Sequence, residues 1–254
     1  MRRLLAASAS ALLLAISPAA ADLVAANRAY GALLGKYVTP RGVRYDAWRA
    51  DGADLKTISE VVTLYRGLDP AALGATEREA VFLNLYNAKV LEIVLMANPR
   101  SSIRDLSKGM NGGEIFSRPV LNVGGKTISL NELEKRLREE TKDPRIHFAL
   151  NCAARSCPPI RREPYTADRL SAQLDEAVRD DLASPGAIDV VSHAGRTTLT
   201  VSRLFDWYAD DFESAGGALA FLRTYAPAPI AEAIGERGAK LEFHEYDWSL
   251  NESK

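Results

Sequence analysis

The chain has 254 residues, 47% of them hydrophobic and 26% charged, which is an ordinary globular balance with enough apolar surface to bury a sizeable core. Lysine plus arginine number 32 against 33 aspartate plus glutamate, for a formal net charge of −1, so no overall field favours nucleic acid or an anionic membrane surface. Two cysteines in the whole chain exclude a disulfide-rich scaffold.

The opening stretch MRRLLAASASALLLAISPAAAD carries two arginines, an apolar run from Leu4 to Ile16, and Ala19 and Ala21 in A-x-A spacing. It reads as a signal peptide over residues 1–21, with a mature chain from Asp22 that is periplasmic or secreted. The apolar run is too short to cross roughly 30 Å of hydrocarbon, so no membrane span is expected in the mature chain. From residue 22 to 254 there is no repeat, low-complexity tract or long linker, and a single domain is expected.

In chain order, an amphipathic helix is expected from Asp22 to about Lys36, broken by TPRG, with GVRYDAW as a short strand or extended turn. A second helix covers LKTISEVVTLYRGL and ends at Asp69-Pro70. The longest follows in TEREAVFLNLYNAKVLEIVLMANP, where Thr76 and Glu79 have capping-box spacing and Pro99 closes the far end. It is apolar nearly all round, so it is the expected central core helix, and Asn84 and Asn87 then need assigned hydrogen-bond partners.

RPVLNVGGKTISLNELEKRL reads as a hairpin turning at Gly124-Gly125, then a helix capped by Ser129 and Glu132. TADRLSAQLDEAVRDDLAS is an amphipathic helix, and AIDVV and RTTLTVS form another hairpin. The aromatic RLFDWYADDF, two further helical patterns and a terminal strand KLEFHEY complete the chain. The fold class expected is α+β, a predominantly helical single domain with small antiparallel strand pairs.

RIHFALNCAARSCPPI holds both cysteines, with His147 five residues before Cys152. Its backbone reads equally as a buried strand or a short helix. In a regular helix residues 152 and 157 would sit roughly 8–9 Å apart, beyond the limit of about 7 Å for a disulfide, so a bridge requires a turn. The two thiols read as a local disulfide, as a nucleophile activated by His147, as soft metal ligands one short of a closed zinc site, or as plain buried thiols. The spacing is not the C-x-x-C of a redox motif. His193 reads as a surface residue in a turn. His244 with Asp247 gives the chain order Cys, His, Asp found in many thiol hydrolases.

The runs REAVFLNLYNAKVLEIVL, VGGKTISLNELE, DPRIHFALNCAARSCPPI with YTADRL, LFDWYADDF and YDWSLN together resemble, from about Val43 to Asn251, the family known as domain of unknown function 547. The family pattern lacks a histidine at position 244, which counts against a triad built there. It accepts serine where Cys157 stands, which implies that Cys152 is the more essential thiol. Its polar motif positions are here Glu79, Asn84, Asn87, His147, Asn151, Cys152, Ser156, Cys157, Asp247 and Asn251.

If these converge in one cleft, they supply the groups of thiol acyl transfer. The expectation is a thiol-dependent hydrolase or acyl transferase acting on an amide or peptide-like bond. Cys152 attacks, His147 takes its proton, and Asn151 or a backbone N–H near it holds the oxyanion. Glu79, Asn84, Asn87, Ser156, Cys157 and Asp247 would bind a small-molecule or peptide-like ligand, with no cofactor and no metal. The alternative is a non-catalytic envelope binding or scaffolding domain with a local disulfide.

Overall fold

The computed structural model describes residues 18–109, 112–194, 196–235 and 239–253. The signal-peptide reading therefore falls mostly outside the described residues. Helix α1, Pro18–Tyr37, runs across the expected cleavage position and buries Ala26, Tyr30, Leu33, Leu34 and Tyr37, a stripe at helical spacing. A two-residue hairpin of β1, Val38–Thr39, and β2, Gly42–Val43, follows. Gly42 has φ 118°, and a Cβ there would collide with the carbonyl of Asn251, so this position needs glycine on two counts. Helix α2, Tyr45–Arg49, and α3, Gly52–Gly67, come next. The Asp51 carboxylate starts α3 by accepting from the backbone N–H of Ala53 and Asp54.

Helix α4, Ala75–Ala97, is the core helix expected, with Phe82, Leu83, Leu85, Leu91 and Val94 all buried. It is long and apolar enough to cross a membrane, but protein surrounds it. Its start corrects the sequence reading. The N-cap is Gly74, without a side-chain cap, so Thr76 and Glu79 lie inside the helix and form no capping box.

After α5, Glu114–Ser117, the hairpin of β3, Pro119–Val123, and β4, Lys126–Ser129, turns at Gly124 and Gly125, with φ 58° and 76°. Ser129 and Glu132 do form a capping box at the head of α6, Leu130–Thr141. Helix α7 spans Leu170–Leu182. Strand β5, Asp189–His193, pairs antiparallel with β6, Arg196–Val201. Short helices α8, Leu204–Trp207, α9, Ala209–Phe212, α10, Ala218–Tyr225, and α11, Ala228–Ile234, lead to β7, Lys240–Phe243. β7 pairs parallel with β6, the one departure from antiparallel pairing among the described strands, made possible by the helical crossover between them. The α+β class stands.

The buried residues form two cores. The larger surrounds α4 and takes in α1, α3 and α6. The smaller is aromatic, built on Phe148, Phe205, Phe212 and Phe221 with α7 and β6. Ile146 belongs to the first and Phe148 to the second, so the cysteine segment joins the two.

Candidate functional site

The segment begins as a 3₁₀ turn, Pro144–Phe148, capped by the Asp143 carboxylate on the Arg145 N–H. It then straightens, and Ala153 adopts φ 62° while the Cys157 N–H donates to the Ala154 carbonyl at 3.1 Å. This is the turn that a bridge requires. It brings the α-carbons of Cys152 and Cys157 to 6.2 Å, and their sulfurs are joined in a disulfide. In this state neither sulfur is a thiol, so the expected attack by Cys152 would require the bridge to be reduced first.

Asn151 is likewise not disposed as an oxyanion donor. Its Nδ2 donates to the Pro158 carbonyl, and its Oδ1 accepts from the Ala153 N–H and from Asn251 Nδ2. The backbone donors beside it are also engaged. Asn151 N–H meets Asn87 Oδ1, Cys152 N–H meets Cys157 Sγ at 3.0 Å, and Ala153 N–H meets Asn151 Oδ1. Asn87 Nδ2 donates back to the Ala149 carbonyl. One turn earlier Asn84 holds Tyr165 the same way, accepting from its N–H and donating to its carbonyl, both at 2.8 Å. These asparagines pin irregular chain to α4. Ser156 and Asp247 form a second clasp, since Ser156 Oγ accepts from the Asp247 N–H and the Asp247 carboxylate accepts from Ser249.

Beside the disulfide lies a cavity of about 130 Å³. Cys152, Cys157 and His147 all line it. Trp207, Tyr246 and Trp248 pack against one another as a wall, with ring centroids 4.7–6.2 Å apart. The Tyr246 hydroxyl is 3.3 Å from Cys152 Sγ and 3.2 Å from Cys157 Sγ. His147 is buried, stacks on Tyr208 at 3.9 Å, and is held by Asp211 through Nε2 at 2.7 Å. Burial pushes its pKa down to about 4 against the pull of Asp211, so the ring is neutral at pH 7 and a weak base. Asp211 stays ionised, its carboxyl lowered chiefly by the bidentate Arg138, at 2.6 and 3.0 Å. Glu134 projects from α6 and accepts from the Tyr208 hydroxyl at 2.6 Å. Burial raises its carboxyl above the ordinary range.

The structure thus gathers His147, Cys152 and Cys157, and leaves Glu79, Asn84, Asn87, Asn151 and Asp247 outside the cavity lining. Ser156 and His244 line a second, larger cavity of about 410 Å³ that shares Cys157 and Tyr246 with the first. Glu79 points into the protein near Asp143 and Arg145 with Oε1 buried and unbonded, and burial pushes its pKa up to about 7. Among the described residues no group of three or more His, Cys, Asp or Glu is arranged to hold a metal ion.

Glu134, Asp211, Tyr208 and Tyr246 were not singled out by sequence reasoning. One signal was present: Leu130, Leu133 and Leu137 form the buried stripe of α6, and position 134 lies on that stripe, where a glutamate is out of place. For Asp211 there was no local signal, because its contact with His147 spans 64 residues.

No curated protein and no solved structure matches the chain. A family model matches residues 70–180, which hold the α4, hairpin and cysteine motifs but not LFDWYADDF or YDWSLN, so Trp207, Tyr208, Tyr246 and Trp248 lie beyond it. The model matched over residues 70–180 is that of the family described as "Protein of unknown function, DUF547".

Proposed function

We propose that this protein is an extracytoplasmic binding domain whose ligand enters the aromatic cavity, with the Cys152–Cys157 disulfide as part of the cavity wall. The observation that carries this reading is the disulfide itself, set against Tyr246 where a free nucleophile would have to stand. A disulfide suits an oxidising compartment, in keeping with the signal-like start of the chain. Convergence of aromatic rings and a few polar groups on a concavity is the usual form of a small-ligand site. A thiol hydrolase would need the bridge reduced first, and would then depend on His147, whose depressed basicity and bond to Asp211 suit it poorly to take a proton at neutral pH.

Intact mass of the exported protein under non-reducing conditions tests compartment and bridge together. The expected species starts at Asp22 and is two hydrogens lighter than its reduced form. Free thiols that react with an alkylator without reductant would restore the hydrolase reading. A thermal-shift screen of small polar and charged compounds tests binding. Stabilisers should act on the wild-type chain and lose their effect in Trp207→Ala, and a blank screen would count against the site.

A further inference from the structure

Among the described residues the cavity is lined by one carboxyl group, Glu134, and by no lysine or arginine. Arg138, one turn along α6 from Glu134, is bonded twice to Asp211, so that pair is close to neutral. His147 carries no charge at neutral pH, because burial disfavours its protonated form. Glu134 makes no ion pair among the described residues; its only bond to protein among them is from the Tyr208 hydroxyl to one oxygen. Burial disfavours the charged form of Glu134, and that form has no protein counter-ion among the described residues, so a cation arriving from outside would stabilise it.

The open hydrogen-bonding capacity has the same polarity. The second oxygen of Glu134 is an acceptor with no protein donor among the described residues. Asn131, which also lines the cavity, donates through Nδ2 to Ser117 Oγ, leaving its side-chain carbonyl oxygen to accept. A ligand that brings N–H donors and a positive charge would draw Glu134 into its charged, accepting form, whereas an anion would not. Size narrows the class further. A cavity of roughly 150 Å³ holds a benzene ring, so about 130 Å³ admits a charged head and a few methylenes rather than a whole sugar. Arg104 already lies over the Trp248 ring at 4.8 Å; the faces of Trp207 and Tyr246 favour a ligand cation and an apolar stem.

We propose that this cavity takes the primary ammonium group of an amine carried on a short apolar stem, seated on the free oxygen of Glu134 against Trp207, Tyr246 and Trp248. The ammonium would donate to Glu134 and to the Asn131 carbonyl while its methylenes cover the rings. The inference rests on the binding reading above and names its ligand class.

The test titrates the oxidised chain with butylammonium chloride, with 1-pentanol as a neutral analogue of similar length, and with methyl β-glucoside, following tryptophan fluorescence. Trp48 is fully buried in the larger core, so Trp207 and Trp248 carry the response. Butylammonium should saturate the signal and bind at least about tenfold more tightly than pentanol, the value of a charge-assisted hydrogen bond. Glu134→Gln should erase that preference and leave pentanol binding unchanged. The comparison of amine with alcohol on the wild-type chain stands even if the variant fails to fold. Equal binding of pentanol, or binding of the glucoside alone, overturns the amine assignment while the binding reading survives. Silence from all three probes also overturns it, and only a blank thermal-shift screen besides would remove the binding reading with it.

Discussion

The asparagines along α4 and the polar groups around the aromatic cavity are both buried polar sets in apolar surroundings, yet they differ in one respect. Each of Asn84 and Asn87 donates to and accepts from a single stretch of irregular backbone, so both ends of each amide already have a protein partner. Among the described residues Glu134 keeps an oxygen without a protein donor and makes no ion pair. Motif membership does not separate these cases, but counting open hydrogen-bonding capacity does. Residues whose bonds close on the protein hold the fold, and a residue left open at a cavity is where binding is to be sought.

Substitution can break this comparison. The largest effect is expected at Asn151→Ala, which frees the Pro158 carbonyl, the Ala153 N–H and Asn251 Nδ2 together. Chemical denaturation should show a loss of about 3–5 kcal/mol. A loss under about 1 kcal/mol would mean that the amide network does not brace the fold.

Next is the titration of His147. Its folded pKa, about 4, lies below the ordinary 6.5, so the contribution of the neutral ring is complete above pH 6.5 and is lost as pH falls towards 4. The wild-type chain should lose about 3 kcal/mol across that window relative to His147→Gln, read as the difference between two stability–pH curves. Parallel curves would deny that the imidazole is held neutral by burial.

Replacing both cysteines by serine removes a short closed loop and should cost about 2 kcal/mol. Glu79 works in the opposite sense to His147. Its folded pKa, about 7, is above the ordinary 4.5, so its contribution is complete below pH 4.5 and is lost as pH rises through 7. Glu79→Gln should therefore gain about 1–2 kcal/mol over wild type at pH 8 and nothing at pH 4.

Local chemistry was legible in the sequence where it closed on itself. Gly124-Gly125 and the Ser129–Glu132 box involve neighbours along the chain, and both stand as read. The same box spacing misled at Thr76 and Glu79, because Gly74 starts the helix earlier and Glu79 turns towards Asp143 and Arg145. That Asn84 and Asn87 need partners followed from their apolar setting, but the partners, Tyr165 and the 149–151 backbone, lie 62–81 residues away. The cysteine segment could be narrowed only to a turn or no bridge, since periodicity does not distinguish a 3₁₀ turn followed by extended chain from a strand. The parallel pairing of β6 with β7 and the contact of His147 with Asp211 depend on how distant elements meet, which no window of sequence contains.

The most direct measurement places Glu134→Gln and Asn87→Ala side by side, each followed by denaturation and by butylammonium titration. The account predicts that Glu134→Gln keeps its stability within about 1 kcal/mol and loses amine affinity by at least about tenfold, while Asn87→Ala loses about 2–4 kcal/mol and binds the amine as wild type does. A Glu134→Gln chain that unfolds as readily as Asn87→Ala yet retains the amine would contradict it.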